Sequence, residues 1–379
     1  MVDNKKSGVE NKDIEYIHEK AKQEFEKLSG SKLLLTGAGG FLGYYFIKSI
    51  LAWNKNNPDK LIQLIALSNF RNGIPQWLDS LKGWEDFKII QKNIVKYSLP
   101  KSSTFDYIIH AASIASPTFY RLFPIETINA NVQGLYKILD YMVLRKKTRQ
   151  PVKGLLFFSS SEIYGDPSEG DIPTPETYRG TVSCTGPRAC YDESKRFCET
   201  LCVNYVKVHS LPIKVARPFN NYGPGMKITD GRVIADFAKN ILENKDIVMF
   251  SDGSPSRTFC YVADAIVGYL KILVQGKNGQ AYNIGVKKPE VSMKTLAEKM
   301  VKIGREDFKF TKKIILQKSK DKNYLTDNPN RRCPVIDKAR KEIGYDPEIS
   351  LDDGLQRVMH WYHERYFKNQ KSKIKNQKQ

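Results

Sequence analysis

A glycine-rich turn between a short apolar run and an apolar helix constrains the fold of this chain more than any other feature. Residues 32–35 are typical of a buried strand, and Gly37, Gly40 and Gly43 follow at every third position. Glycines at this spacing permit a tight turn and a close approach of the backbone to a pyrophosphate, which the N-terminus of the next helix attracts. Because the motif lies between a strand and a helix, it predicts a dinucleotide-binding domain.

Alternating strands and helices continue to about residue 217, and they predict an α/β fold with a Rossmann-type doubly wound parallel sheet. From Pro218 onward proline and glycine are more frequent and the elements are shorter, which predicts a smaller α/β cap domain that binds substrate. We expect the apolar segment 258–270 to return to the main sheet.

Residues 13–28 have apolar positions at helical spacing and predict an amphipathic helix that docks on the body of the protein. The predicted divisions are an N-terminal helical extension at 1–30, a dinucleotide-binding domain at 31–219 and 258–283, a substrate-binding domain at 220–257 and 284–367, and a disordered basic tail at 368–379.

The formal net charge of +20 is compatible with binding to nucleic acid, to a membrane surface or to an anionic small substrate. Part of it lies in the tail after Phe367, and the rest is spread along the chain rather than gathered in one arginine-rich stripe. This distribution argues against a nucleic-acid partner. No apolar run is long enough for a transmembrane helix, and the N-terminus lacks the core of a signal peptide. We therefore expect a cytoplasmic protein without a membrane partner.

Cysteine and histidine usage bears on metals and on the redox compartment. The six cysteines form no CxxC pair and there are five histidines, so we expect no metal site. Scattered thiols without a disulfide framework fit a reducing cytosol.

Tyr191 and Lys195 lie four residues apart, so a helix would place both side chains on one face. A free tyrosine has a pKa of roughly 10, and a neighbouring ammonium group favours the phenolate. A phenolate beside a sugar hydroxyl could take its proton while hydride leaves the same carbon. The alternative is a surface helix that carries this common spacing without a catalytic role.

Two predicted strands end in polar side chains, at the edge where open parallel sheets bind ligands. The second strand ends at Leu67, and Ser68, Asn69 and Arg71 follow in place of the acid that usually bonds the ribose of NAD. NADP is therefore an alternative cofactor, unless Ser68 or Asn69 bonds an unphosphorylated ribose. The fifth strand ends in the run 159–162, whose serine hydroxyls and Glu162 carboxylate could act on a substrate. The alternative for this run is a serine-rich turn.

The motifs TGAGGFLG, SSSEIYG and YDESK, in this order, resemble those of the extended short-chain dehydrogenase/reductase superfamily, in its nucleotide-sugar epimerase/dehydratase group. The resemblance runs from about residue 31 to 365, and the stretches GPRACYDESKR, VARPFNNYGPGM and NRRCPVIDKA are most similar to the UDP-glucuronate decarboxylases. It implies bound NAD, a nucleotide-sugar substrate with a UDP-sugar favoured, and a homodimer.

The resemblance also implies roles for the residues that match these motifs. Tyr191 would be the catalytic base and Lys195 its partner, Ser160 would bond the 4-oxygen of the sugar, and Glu162 would be the active-site glutamate. The implied cofactor-binding positions are Gly37, Gly40, Phe41, Leu42, Gly43, Ser68, Asn69, Asn93, Ile94, Ala111, Ala112, Ser113, Asn131, Tyr191 and Lys195. The implied substrate-binding positions are Tyr120, Ser161, Arg188, Asn220, Arg232, Val233, Phe250, Arg257 and Arg332. Surface ion pairing is the alternative for Arg257 and Arg332.

The choice of reaction depends on the carbon next to the sugar ring. After oxidation at C4, a C6 carboxylate belongs to a β-keto acid and can leave as carbon dioxide, whereas a C6 hydroxyl leaves as water and needs an acid. Many 4,6-dehydratases have Asp-Glu where this chain has Ser161-Glu162, and serine is a poor acid. The residues therefore favour decarboxylation to UDP-xylose or a 4-keto pentose, with 4,6-dehydration and 4-epimerisation as alternatives. Two departures from the decarboxylases are Ser68 in place of the ribose-binding Asp and the segment 182–185.

Overall fold

The structure, a computed structural model, describes residues 8–71, 73–319 and 326–376. The helices, in chain order, are α1 Val9–Lys20, α2 Lys22–Leu28, α3 Phe41–Asn56, α4 Gln76–Asp79, α5 Pro117–Leu122, α6 Pro124–Lys147, α7 Ala189–His209, α8 Val233–Leu242, α9 Val262–Gln275, α10 Met293–Phe308, α11 Asp337–Ile343 and α12 Leu351–Asn376. The strands are β1 Lys32–Thr36, β2 Gln63–Ser68, β3 Phe87–Gln91, β4 Tyr107–His110, β5 Gly154–Phe158, β6 Ile213–Pro218, β7 Asn221–Tyr222, β8 Ile247–Met249, β9 Ser256–Thr258, β10 Cys260–Tyr261, β11 Ala281–Ile284, β12 Glu290–Ser292, β13 Ile314–Leu316 and β14 Arg331–Arg332.

Seven strands form a sheet in the order β11-β6-β5-β4-β1-β2-β3, and every neighbouring pair is parallel. The chain moves outward from β1 in both directions, so the strand order reverses between β1 and β4. Thr36 of β1 is level with Leu67 of β2 and His110 of β4, so the three strands end together. This is the doubly wound sheet that the sequence predicts, and its ligand crevice lies at these carboxyl ends.

Both faces of the sheet are buried, because successive side chains of each strand enter opposite cores. Leu33 and Leu35 of β1 pack in one core with α3 and α9, whereas Leu34 packs in the other with α6 and α7. All three leucines are fully buried. This double coverage explains why the strands are continuous apolar runs in the sequence.

The short strands lie outside the main sheet: β12-β9-β14, β13-β8 and β10-β7 each form a small sheet of their own. Because β14 is parallel to β9, Arg332 is level with Arg257 although the two are far apart in the chain. The segment 258–270 returns to the main sheet as expected, but as a helix that packs on the sheet and not as one of its strands. It forms β10 and part of α9, whose residues are buried on nearly all sides against the sheet, and β11 supplies the returning strand. The predicted domain boundaries stay a prediction.

The N-terminal segment is two helices rather than the single helix predicted for 13–28. The backbone breaks at Ala21, with φ −118° and ψ 26°, and this turns Phe25 and Leu28 fully into the core. α1 contacts α3, α9 and α12. Asp13, fully buried, accepts hydrogen bonds from Tyr45 at 2.6 Å and Tyr261 at 2.7 Å. The extension therefore docks on its own chain, as expected.

The last helix, α12, extends to Asn376 and so includes most of the region predicted to be a disordered tail. Lysine and glutamine have high helix propensity, and positive charge near a helix C-terminus is favourable. Residues 377–379 lie outside the described residues. Within the described ranges, no helix combines the length and apolarity that a membrane crossing requires.

Candidate functional site

The carboxyl ends of the main-sheet strands line one side of a cavity of about 1830 Å³, and residues of the small sheets line its far side. Ligand cavities are usually roughly 300–1,000 Å³, so this one has room for a dinucleotide and a second ligand. Every residue that the sequence assigns to cofactor or substrate lines it except Asn131. Asn131 is instead buried between α6 and α7, where its side-chain amide donates to the Ser194 hydroxyl at 2.8 Å and holds the two helices together.

The glycine turn after β1 forms a cradle that side chains would fill. Gly37 has φ +76°, and a Cβ there would lie 2.6 Å from the carbonyl carbon of Ala111. A Cβ on Gly43 would lie 2.5 Å from the carbonyl oxygen of Ala38. Helix α3 starts after Gly40 without a side-chain cap among the described residues, so its first amides can bind an anion. These features fit the pyrophosphate of a dinucleotide.

We expect Gly37→Ala to destabilise the protein and to weaken NAD binding by more than tenfold, because the new methyl group would overlap the backbone of Ala111. Gly30→Ala is the matched control, since Gly30 has the same φ of +76° but nothing within 4 Å of its Cβ position. Both variants carry the left-handed strain of roughly 1–2 kcal/mol. Thermal denaturation and NAD titration of both variants would measure the difference, and equal effects would contradict the cradle.

Hydroxyl groups on the cavity wall are available to a ligand. The side-chain oxygens of Ser113, Tyr120 and Ser159 are buried without a hydrogen-bond partner in the part of the chain that the structure describes. Buried polar groups are usually hydrogen-bonded. These three therefore mark positions at which a bound molecule would complete the hydrogen bonding.

Tyr191 and Lys195 lie on one face of α7, as the spacing predicts, and both are buried. The Lys195 ammonium is 5.7 Å from the centre of the Tyr191 ring and donates to the Phe158 carbonyl at 2.7 Å. The Tyr191 phenol interacts with the Ser160 side chain, and its ring stacks on Tyr120, with ring centres 5.0 Å apart. A tyrosine, a lysine and a serine from two neighbouring elements thus converge on one point of the cavity.

The pKa of Tyr191 shifts in the direction opposite to the one that the sequence argument expects. Burial of the phenol raises the pKa of Tyr191 to about 12, and the interaction with Ser160 offsets only part of this effect. Burial likewise lowers the pKa of Lys195 to about 8. Desolvation disfavours the charged form of both groups, and the Lys195 hydrogen bond goes to a backbone carbonyl instead of stabilising the phenolate.

Glu162 is held between two arginines. Its carboxylate contacts the guanidinium groups of Arg188, which precedes α7, and Arg332, which β14 carries to the site. Burial alone would raise the pKa of Glu162, but Arg188 and Arg332 outweigh it and lower the pKa to about 2. Arg332 also donates to the Ser161 hydroxyl at 3.2 Å. Glu162 is therefore an ionised carboxylate at neutral pH.

Asp192 is a member of this cluster that the sequence reasoning missed. It is 4% exposed, and its carboxylate lies 3.6 Å from the Arg188 side chain. Burial, followed by the charge of Glu162, raises the pKa of Asp192 to about 7. The spacing of four residues between Arg188 and Asp192 was the available signal.

The other predicted substrate residues also line the cavity. Arg257 donates from β9 to the Asn330 carbonyl at 3.0 Å, which places its guanidinium in the cavity beside that loop. Arg232 pairs with Asp230 at 2.7 Å, and its guanidinium lies 5.9 Å from the Phe41 ring at the start of α3. The remaining predicted wall residues are Asn220, Val233 and Phe250. No group of three or more His, Cys, Asp or Glu side chains in the described ranges is arranged to hold a metal ion.

Known proteins resemble this chain over most of its length. A UDP-glucuronic acid decarboxylase from Arabidopsis thaliana is 33% identical over 327 residues, which cover 86% of this chain and 87% of the relative. A UDP-glucuronic acid decarboxylase from Xenopus tropicalis is 32% identical over 333 residues, 87% of this chain and 72% of the relative.

Solved structures share the fold at lower identity. An epimerase from Methanothermobacter thermautotrophicus has a TM-score of 0.77 at 22% identity and covers 94% of this chain and 98% of its own. The dTDP-glucose 4,6-dehydratase DesIV from Streptomyces venezuelae, solved with NAD bound, has a TM-score of 0.72 at 22% identity, with 88% and 97% covered. Residues 33–285 match the NAD dependent epimerase/dehydratase family. The chain therefore belongs to the NAD dependent epimerase/dehydratase family, and NAD is the cofactor that its glycine cradle fits.

Proposed function

We propose that this protein is a UDP-glucuronate decarboxylase, which oxidises the sugar at C4 and releases C6 as carbon dioxide to give UDP-xylose or a 4-keto pentose. The relatives at about 33% identity over most of the chain support this assignment. The observation that carries it is the pairing of an ionised Glu162 with Ser161, in which the carboxylate is held between the guanidinium groups of Arg188 and Arg332.

The charge of the cluster suits a substrate with two anionic groups. Arg188, Arg332 and Arg257 line the cavity together with Glu162, and the raised pKa of Asp192, which contacts Arg188, reduces the negative charge beside them. Guanidinium groups bind phosphate and carboxylate oxygens through paired hydrogen bonds. We propose that they bind the diphosphate and hold the C6 carboxylate of the sugar close to Glu162.

In the first step Tyr191 takes the proton of the C4 hydroxyl while Ser160 holds the same oxygen. The glycine cradle after β1 would hold NAD, which would supply the acceptor for the C4 hydride and would return that hydride where UDP-xylose is the product. Because the pKa of Tyr191 is about 12, we propose that proton transfer occurs together with oxidation, so that a free phenolate does not accumulate.

In the second step the C5–C6 bond of the β-keto acid breaks. Carbon dioxide leaves, and the electron pair of that bond passes to the C4 oxygen as an enolate. The protonated Tyr191 and Ser160 then donate hydrogen bonds to that oxygen where its charge develops. The raised pKa of Tyr191 keeps the phenol protonated at this stage, and C5 takes a proton from solvent.

The same residues argue against dehydration. Loss of a C6 hydroxyl requires an acid to protonate the leaving oxygen. Ser161 is not an acid at neutral pH, and Glu162, with a pKa of about 2, has no proton to give. A carboxylate leaving as neutral carbon dioxide needs no such acid.

We expect incubation with UDP-glucuronate to release carbon dioxide and to give a sugar product that is lighter by the mass of carbon dioxide. UDP-glucose is the matched substrate, since it has a hydroxyl where UDP-glucuronate has a carboxylate, and we expect no loss of water from it. Mass spectrometry of both products measures the outcome. Loss of water from UDP-glucose would identify a 4,6-dehydratase, and an isomer of unchanged mass would identify a 4-epimerase. Either result without carbon dioxide release would contradict the proposal.

We also propose that the protein is a cytoplasmic homodimer. Phe119 and Leu122 of α5, Ile125 and Ile128 of α6 and Phe197 of α7 are exposed, 37–64% of each residue's surface, on helices that pack together. Exposed apolar patches commonly mark protein interfaces. All six cysteines are free thiols, which supports a reducing compartment. Light scattering should give twice the chain mass of 43.4 kDa, and Phe197→Glu should reduce it to the monomer mass if this surface is the interface.

A further inference from the structure

We infer that the ribose end of the cofactor cavity accepts a 2′-phosphate, so that this protein binds NADP as well as NAD. The inference rests on family membership and on the cradle, and it is independent of which reaction the enzyme catalyses. It concerns the end of the cavity formed by the carboxyl ends of β2 and β3.

The two strand ends lie against each other and against the glycine turn. The Lys92 amide after β3 donates to the Ser68 carbonyl at 3.0 Å. On the other side, a Cβ on Gly39 would lie 3.5 Å from the Ser68 hydroxyl and 3.1 Å from the Phe70 ring. Ser68 is therefore next to the pyrophosphate cradle, at the place where the acid that bonds the ribose hydroxyls of NAD is usually found.

The side chains that the two strand-end segments contribute to the cavity are neutral or positive. Residues 68–73 and 91–96 contain no carboxylate, and Arg71, Lys92 and Lys96 from these segments line the cavity. An acid at position 68 would repel a 2′-phosphate, whereas the Ser68 hydroxyl can donate a hydrogen bond to it. The usual barrier against NADP is therefore missing from these two segments.

Arg71 is placed to bind the phosphate. Its guanidinium carbon lies 4.1 Å from the centre of the Phe123 ring, which also lines the cavity. This cation–π contact fixes the side chain without using its hydrogen-bond donors on a carboxylate, and Arg71 has no ion pair with any described residue. A guanidinium held in this way retains donors for phosphate oxygens.

The test is nucleotide exchange on the full-length protein. The purified protein is incubated with excess NAD or NADP and freed of unbound nucleotide, and the bound nucleotide is identified and quantified by mass spectrometry. Titration of both nucleotides then gives the two dissociation constants. We expect NADP to bind within about tenfold of NAD. An NADP dissociation constant more than about a hundredfold higher than that of NAD would overturn the inference.

Two variants test whether Ser68 and Arg71 are responsible for NADP binding. We expect Ser68→Asp to weaken NADP binding by about tenfold or more while NAD binding is retained. We expect Arg71→Ala to weaken NADP binding selectively by about tenfold, which is the usual scale for one hydrogen bond to a charged group. Lys88→Ala is the matched control, because it removes an exposed positive charge from β3 outside the cavity. An unchanged NADP to NAD ratio in both Ser68→Asp and Arg71→Ala would also overturn the inference. Neither result bears on carbon dioxide release, which tests the proposed function separately.

Discussion

Tyr191→Phe is expected to lower the turnover number by about a hundredfold or more, the usual scale for loss of a general base. Phenylalanine keeps the ring that stacks on Tyr120 but removes the oxygen that interacts with Ser160. The variant should therefore fold and bind NAD as the wild type does. Steady-state kinetics with UDP-glucuronate, together with NAD titration, would separate the loss of chemistry from a loss of binding.

Tyr205→Phe is the matched control for this prediction. Tyr205 lies on the same helix, α7, but its phenol contacts Asp140 at 3.4 Å, outside the cavity. The same atom is removed from the same element, so turnover should stay near the wild-type value. Near-normal turnover in Tyr191→Phe would remove Tyr191 from the mechanism.

The second prediction is that Glu162→Gln slows carbon dioxide release by at least tenfold without raising KM. The neutral amide leaves the charges of Arg188 and Arg332 uncompensated, and these charges then hold the substrate carboxylate more strongly. Tighter binding of the ground state opposes departure of that group as neutral carbon dioxide. We also expect a lower melting temperature, because removing one partner of a buried ion pair is destabilising.

The control for Glu162 is Glu290→Gln in the neighbouring small sheet. Glu290 pairs with Arg331 at 2.8 Å, so the same change again removes the carboxylate partner of an arginine. Glu290 does not line the cavity, and turnover should be unaffected. A Glu162→Gln variant that releases carbon dioxide at the wild-type rate would show that the carboxylate takes no part in the chemistry.

Features that depend on near neighbours in the chain were predictable from the sequence. The buried strand at 32–35, the three glycines and the apolar helix after them are consecutive, so their spacing was enough to predict the cradle and the parallel sheet. The shared face of Tyr191 and Lys195 follows from the pitch of one helix. Local patterns of this kind also predicted that polar side chains after β2 and β5 would meet at one edge.

The tertiary structure alone decided how the site is charged. Arg188 and Arg332 are 144 residues apart in the chain, and only the pairing of β14 with β9 places Arg332 on Glu162 beside Arg188. Sequence spacing suggested that Lys195 would lower the pKa of Tyr191, yet burial raises it to about 12. The strength of an electrostatic interaction depends on distance and on exclusion of water. Both are set by segments remote in sequence, so composition and spacing could identify the groups of this site but could not determine their protonation.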